Sequence, residues 1–193
     1  MTFLKKNKLI FLSIALFSLS FPPFNFGFLA YIALIPLIHK IQQVKPYKSR
    51  FKLGMLFGAC SMAIFHTWFF ELFAFAPMLG VLSLWILFSL YLGIFYGLAC
   101  MTYDHESNWK YITFPATWTV SEFMRSCGPI GNPAGLLGYS QAYYPKLIQI
   151  ISILGVFGLT FIICYYNSLI YSYLTEKKSM LSIKIAVVTL IIL

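Results

Sequence analysis

The chain alternates between long apolar runs and short polar interruptions, and its prolines, glycines and charges collect in the interruptions. The first run, about 9–20, amounts to about 18 Å of helix against a bilayer core of about 30 Å. It stops at FPPFNFGF, and a second short run, about 28–38, follows. Two short helices joined by a Pro-Gly corner predict a hairpin over about 9–38 that enters a membrane obliquely or incompletely. Snorkelling by Lys8 and Lys40 extends the reach of both. Longer runs cover about 53–75, 79–103, 111–124 and 147–173, and another begins near 180. The pattern predicts an all-α fold, a polytopic transmembrane helical bundle of about seven membrane helices, the first two short, with no soluble domain within 1–193. The sequence given stops at AVVTLIIL, inside the last run, where a terminal carboxylate is costly. It therefore reads as cut short or continued.

Composition strengthens this reading. Only 10% of residues are charged and 60% are hydrophobic, whereas a soluble domain carries about 25% charged residues. A soluble chain this apolar would expose large patches and aggregate. The net charge of +9 does not point to nucleic acid, because the basic residues cluster between apolar runs, as in cytoplasmic loops. With a cytoplasmic N-terminus, the inner side holds Lys5, Lys6, Lys8, Lys40, Lys45, Lys48, Arg50, Lys52, Lys110, Lys177, Lys178 and Lys184, and the outer side only Arg125 and Lys146. That orientation puts FPPFNFGF and the loop 126–145 on the outer side. The basic head and short apolar run of the N-terminus imitate a signal peptide. No small-x-small cleavage site precedes the prolines, so the segment reads as an uncleaved anchor. Cys60, Cys100, Cys127 and Cys164 form no C-x-x-C pair and read as small apolar side chains, without a disulfide framework or a metal site.

Polar residues within the apolar runs are candidates for function. His66 reads first as a hydrogen-bond partner of a neighbouring helix. Glu71, about 30 Å along its span by helical rise, reaches the outer interface. Glu122 and Arg125 stand at i and i+3 and share a helix face. They are either an ion pair anchoring a helix end, or a site where Arg125 meets an anionic lipid phosphate. GYSQA imitates a nucleophile elbow but lacks the second glycine and a preceding strand, so Ser140 is not read as a nucleophile. The Gly- and Pro-rich loop implies irregular backbone at membrane depth, tolerated only against protein or a wet cavity. That favours a binding site or an access route over a plain connector. GMLFG (Gly54, Gly58) and GIFYG (Gly93, Gly97) are close-packing signals, either within one bundle or with other membrane proteins.

At these residues a family resemblance emerges. FPPFNFGFLAYIALIPL resembles the N-terminal signature of the apolipoprotein N-acyltransferases. WTVSEFMR followed by GNPAGLLGYSQ resembles their outer-face motif, and LIQIISILGVFGLTFIICYYN the helix after it. Trp68 and YLGIFYGL also fit, so the resemblance covers nearly the whole chain, with 118–141 its most specific part. It departs at Ala134, where the family has a Trp after the proline that is Pro133 here. The resemblance implies a bacterial cytoplasmic (inner) membrane protein that takes part in lipoprotein biosynthesis. The reaction moves an acyl chain from phospholipid to the N-terminal diacylglyceryl-cysteine of a lipoprotein substrate, without a cofactor. It also implies a nitrilase-like domain after the seventh span, whose Glu, Lys and Cys carry out transfer. None of the four cysteines here stands in such a domain, so no catalytic residue is assigned and the 193 residues are expected to be inactive alone. Glu122, Arg125, Pro133, Gly138, Tyr139, Ser140, Gln141 and Trp68 are the residues expected to bind substrate or dock the catalytic domain. A non-catalytic membrane scaffold or lipid-binding partner protein is the alternative.

Overall fold

The first apolar run is broken by chemistry the helix cannot absorb. A computed structural model describes residues 7–103 and 109–176 of the chain. Helix α1, Lys8–Leu19, ends where Pro22 and Pro23, joined by a cis peptide bond, and Asn25 at φ 59° turn the chain. Proline has no N–H to continue the ladder. A 3-10 turn, Gly27–Leu29, leads into α2, Ala30–Ala33, and α3, Ile35–Gln42. Pro36 opens α3, and its missing N–H separates α3 from α2 at Leu34. Asn167 fills the break: its Oδ1 accepts from Leu34 N at 2.8 Å, and its Nδ2 donates to Ala30 O at 2.8 Å.

Helix α4, Tyr47–Phe65, is followed by a 3-10 segment, Thr67–Ala74, bent from it by 46°. The run 53–75 is thus not one straight helix. The bend sits at His66, whose backbone N–H and ring Nδ1 both donate to Met62 O at 2.8 Å. Pro77 then starts α5, Met78–Met101. Helix α6 is Lys110–Ser126, and a 3-10 turn, Leu137–Gln141, precedes α7, Pro145–Glu176. Gly155, at φ 68°, interrupts α7 in a conformation open to glycine.

Among the described residues two helices, Met78–Met101 and Ile151–Thr175, are long and apolar enough to cross a membrane, and α4 and its bent continuation, counted as one span, would make a third. That is fewer than the expected seven. The hairpin helices Lys8–Leu19 and Gly27–Gln42 are short, as their runs in the sequence foretold. Helix α6 has 17 residues and carries Glu122 and Arg125. Lys5, Lys6, the loop residues 104–108, Lys177, Lys178, Lys184 and the run from 180 lie outside the described residues.

The four paired glycines meet each other's helices. A Cβ on Gly54 would lie 2.6 Å from Tyr96 O, and one on Gly93 would lie 2.9 Å from Ala59 N. Cβ atoms on Gly58 and Gly97 would strike the rings of Tyr96 and Phe51. Helices α4 and α5 therefore approach backbone to backbone within this chain, which accounts for both motifs without a second protein. Beside this contact, the buried rings of Phe57, Tyr96 and Phe114 surround Trp118, with Tyr96 5.0 Å and Phe57 5.9 Å from it, and Phe17 packs edge-on against Phe57 and Tyr96.

The loops segregate. At one end, 21–28, the segment after His66 and the loop 127–144 come together: Gln141 Nε2 donates to Gly27 O at 2.8 Å, and Asn132 Nδ2 lies 2.9 Å from His66 Nε2. At the other end, Tyr171 of α7 hydrogen-bonds His39 at 3.2 Å and donates to Gln42 Oε1.

Candidate functional site

Glu122 is the hub of the loop end. Its helix, α6, packs against α7, and its side chain is 1% exposed. A buried carboxylate must recover the hydrogen bonds it loses with water. Glu122 recovers them from three elements. Leu137 N donates to Oε1 at 3.0 Å, Thr160 Oγ1 to Oε2 at 2.9 Å, and Trp118 Nε1 to Oε1 at 3.3 Å. Thr160 in turn accepts from Gly138 N at 3.0 Å. One carboxylate thereby ties α6, α7 and the turn after the loop.

Arg125, one turn further, is 0% exposed, with Nη2 4.0 Å from Glu122 Oε1. Its Nη1 donates to Asn132 O at 2.8 Å and to Ala134 O at 2.9 Å. Its guanidinium carbon lies 5.6 Å from the centroid of the Tyr96 ring, a cation–π contact. A guanidinium suits two converging acceptors because its donors form a rigid fork. Here the acceptors are the loop's own carbonyls. Arg125 is wholly buried and reaches inward to the loop.

Asn132 completes the latch. Its N–H donates to Arg125 O at 2.7 Å, its Oδ1 accepts from Ala134 N at 2.8 Å, and its Nδ2 meets His66 Nε2. With Nδ1 of His66 donating to Met62 O, Nε2 is the acceptor. His66 thus bonds a loop residue and its own helix, where a neighbouring helix was the expected partner.

The other candidate residues divide by exposure. Ser140 and Gln141 are buried and structural in their bonds: Ser140 Oγ donates to Leu137 O at 2.7 Å, and Gln141 Nε2 donates to Ser140 Oγ at 2.8 Å as well as to Gly27 O. Gly138 is buried so tightly that a Cβ would lie 2.6 Å from Val156 O. Tyr139 is 42% exposed and Trp68 55%, while Pro133 is exposed at the loop tip. Glu71 is exposed in the 3-10 segment after His66. Of the cysteines, Cys100 and Cys164 are buried and Cys60 half-buried, but Cys127 is exposed, against the expectation of a buried apolar group.

A family model described as the apolipoprotein N-acyltransferase N-terminal domain matches residues 13–169, which contain the whole network. The chain belongs to the apolipoprotein N-acyltransferase family. It is 31% identical over 184 residues to "Apolipoprotein N-acyltransferase 1" of Treponema denticola, covering 89% of this chain and 33% of that protein. Against the apolipoprotein N-acyltransferase of Borreliella burgdorferi the identity is 27%, with 87% of this chain and 32% of the relative covered. Against that of Rickettsia prowazekii it is 29%, with 94% and 38% covered. The chain thus spans about a third of the length of these curated relatives, and the matched family model is that of the N-terminal domain. At Ala134, where the family resemblance places a Trp, the backbone alone makes the latch bonds, so this chain holds its loop without an indole there.

Reading the sequence of this apolipoprotein N-acyltransferase family member missed Trp118, Asn132 and Thr160 as partners of Glu122 and Arg125, and Asn167 as the splint of the hairpin. A lone amide or hydroxyl in an apolar run was the available signal, since a buried one must find a partner. The sequence named no partner: Asn132, Thr160 and Asn167 lie on elements other than those they bind, and Trp118, one turn before Glu122 on α6, was read only as part of the motif.

Proposed function

We propose that the 193 residues are the membrane-embedded part of an apolipoprotein N-acyltransferase. In this reading the bundle has about seven membrane helices, counting the short hairpin, α6 and the run from 180. Its N-terminus is cytoplasmic, and the loop 126–145 faces outward in a bacterial inner membrane. The reaction served is transfer of an acyl chain from phospholipid to the N-terminal diacylglyceryl-cysteine of a lipoprotein.

The observation that carries the reading is the latch. Buried Glu122, Arg125 and His66, with half-buried Asn132, are all given over to fixing one irregular loop, which a plain connector does not require. The latch leaves Pro133, Tyr139 and Tyr143 exposed at the end where the three loops meet. These exposed groups are the proposed docking and substrate-access edge, and Trp68 borders it from the segment after α4. The buried pair Glu122–Arg125 positions that edge and does not touch substrate. Chemistry itself is assigned to a catalytic domain of the kind the family resemblance implies, so residues 1–193 alone are proposed to be inactive.

A chimera tests this. Residues 1–169 would replace the matching region of a full-length relative, in a strain depleted of its own enzyme. Restored growth and triacylated lipoproteins are expected. Purified residues 1–193 should transfer no acyl chain to a lipopeptide. A well-expressed chimera that fails to restore maturation, or transfer by the 193 residues alone, overturns the proposal.

A further inference from the structure

Arg125 keeps its charge inside the bundle with few hydrogen bonds. A guanidinium carries donors on all three of its nitrogens. Nη1 gives its donors to the carbonyls of Asn132 and Ala134. Nε and Nη2 are buried and donate to no acceptor among the described residues, with Nη2 standing 4.0 Å from Glu122 Oε1. A charge held at 0% exposure needs compensation that these contacts supply only in part.

The remainder comes from Tyr96, on α5. Its ring centroid lies 5.6 Å from the guanidinium carbon. The face of an aromatic ring attracts a cation, and does so more strongly where water is excluded. The phenol oxygen of Tyr96 is buried and has no hydrogen-bond partner among the described residues, so the ring and not the hydroxyl is the part in use. The ring is also fixed in place. Tyr96 is 1% exposed, and Trp118, the donor to Glu122, packs on it at 5.0 Å. From α4, a Cβ on Gly58 would lie 2.5 Å from Tyr96 Cδ2, and one on Gly54 would lie 2.6 Å from Tyr96 O. The glycines that let α4 and α5 approach therefore also seat this ring.

We infer that Tyr96 is a positioning residue for the loop 126–145. Gly58 seats its ring, the ring face holds the Arg125 guanidinium, and Arg125 holds the carbonyls of Asn132 and Ala134. The packing of α4 on α5 and the shape of the outer loop are thereby one coupled arrangement. That the loop edge serves acyl transfer rests on the function proposed above; the placing of the loop by Tyr96 does not.

A fluorine series tests the ring face apart from its packing. The full chain in phospholipid nanodiscs carries Tyr96→Phe, and then phenylalanines with one, two and three ring fluorines at the same position. Each fluorine weakens the attraction of the ring for a cation while changing its size little. Amide hydrogen exchange is followed in the segment 131–138, where the N–H groups of Asn132, Ala134 and Leu137 are held by the latch. Exchange should equal wild type in Tyr96→Phe and rise with each fluorine. In Tyr96→Leu it should rise about thirtyfold, the equilibrium equivalent of a desolvated cation–π contact. Exchange in α3, at the other end, should not follow the series. In an Arg125→Gln background the fluorines should have no effect, because no cation faces the ring. A flat series, a series that persists with Arg125→Gln, or one matched in α3 overturns the positioning role, and the series decides this even where Tyr96→Leu does not fold. In the chimera described above, Tyr96→Phe should restore lipoprotein maturation and Tyr96→Leu, at equal expression, should not. A stepwise series together with full maturation by Tyr96→Leu keeps Tyr96 as the support of the loop and overturns instead the reading of that loop as an edge used in the reaction.

Discussion

His66 and Asn132, 66 residues apart, meet ring to amide at 2.9 Å, and this bond joins the end of α4 to the loop that Arg125 holds from the other side. Asn132→Ala removes that bond and the one to Ala134 N. A loss of about 1–3 kcal/mol is expected, the usual cost of stranding buried partners. Two measurements check it: the thermal midpoint in detergent, and proteolysis between 126 and 145. The midpoint should fall and cleavage in the loop should rise while helical content stays constant. An unchanged loop would mean that Arg125 suffices alone.

Glu122→Gln keeps the shape of the hub but removes the charge opposite Arg125. It also sets an NH2 group among donors from Leu137, Thr160 and Trp118. Breaking a buried pair by removing one partner costs about 3–5 kcal/mol, so this variant is expected to be among the least stable single changes at the loop end. Arg125→Lys should cost less, because the charge stays while the two-carbonyl fork is lost. Denaturation midpoints of the two variants, compared side by side, check the order.

How much of this was legible beforehand differs by level. The apolar runs marked the helices, and the pairing of Glu122 with Arg125 followed from a spacing of three residues, because helical geometry is local. The direction in which Arg125 points was not legible. It depends on carbonyls of Asn132 and Ala134, whose place is set by a loop folding back, and nothing in the spacing encodes that. The bend after Phe65 was hidden for a similar reason. His66 interrupts an apolar run without proline or glycine, and only its bonds to Met62 and Asn132 show why the helix turns there. The family motif at 118–141 takes in Trp118, Glu122, Arg125 and Asn132 of the buried network and left the partners of each side chain open.

Glycine position, not glycine content, should govern stability. Gly138→Ala places a Cβ 2.6 Å from the backbone carbonyl of Val156, which cannot swing aside. Overpacking of this kind costs about 1–3 kcal/mol or more. Gly80→Ala, in α5, meets nothing within 4 Å. It should be neutral or stabilising by about 0.5–1 kcal/mol, the helical preference of alanine over glycine. Thermal midpoints of opposite sign relative to wild type are the expected outcome.

The glycines between α4 and α5 predict a separation of stability from assembly. Gly93→Val should destabilise the chain, since Ala59 N and Met55 O lie about 3 Å from the added Cβ. It should not alter the mass of the protein–detergent complex measured by light scattering, because the contact is internal to one chain. A shift in that mass would show that these helices also pair between chains.

Three of the hydrogen-bonded stations of α7 on the bundle lie along its length: Thr160 at the loop end, Asn167 at the splinted break of the hairpin, and Tyr171 at His39 and Gln42. Each contact is directional and tolerates little displacement. Sliding α7 by one turn, about 5.4 Å, would break all three at once. The helix therefore acts as a key in a lock with three pins. The end that carries the loops and the end that carries His39 cannot change register independently, and any motion passing along α7 must move the two as one body.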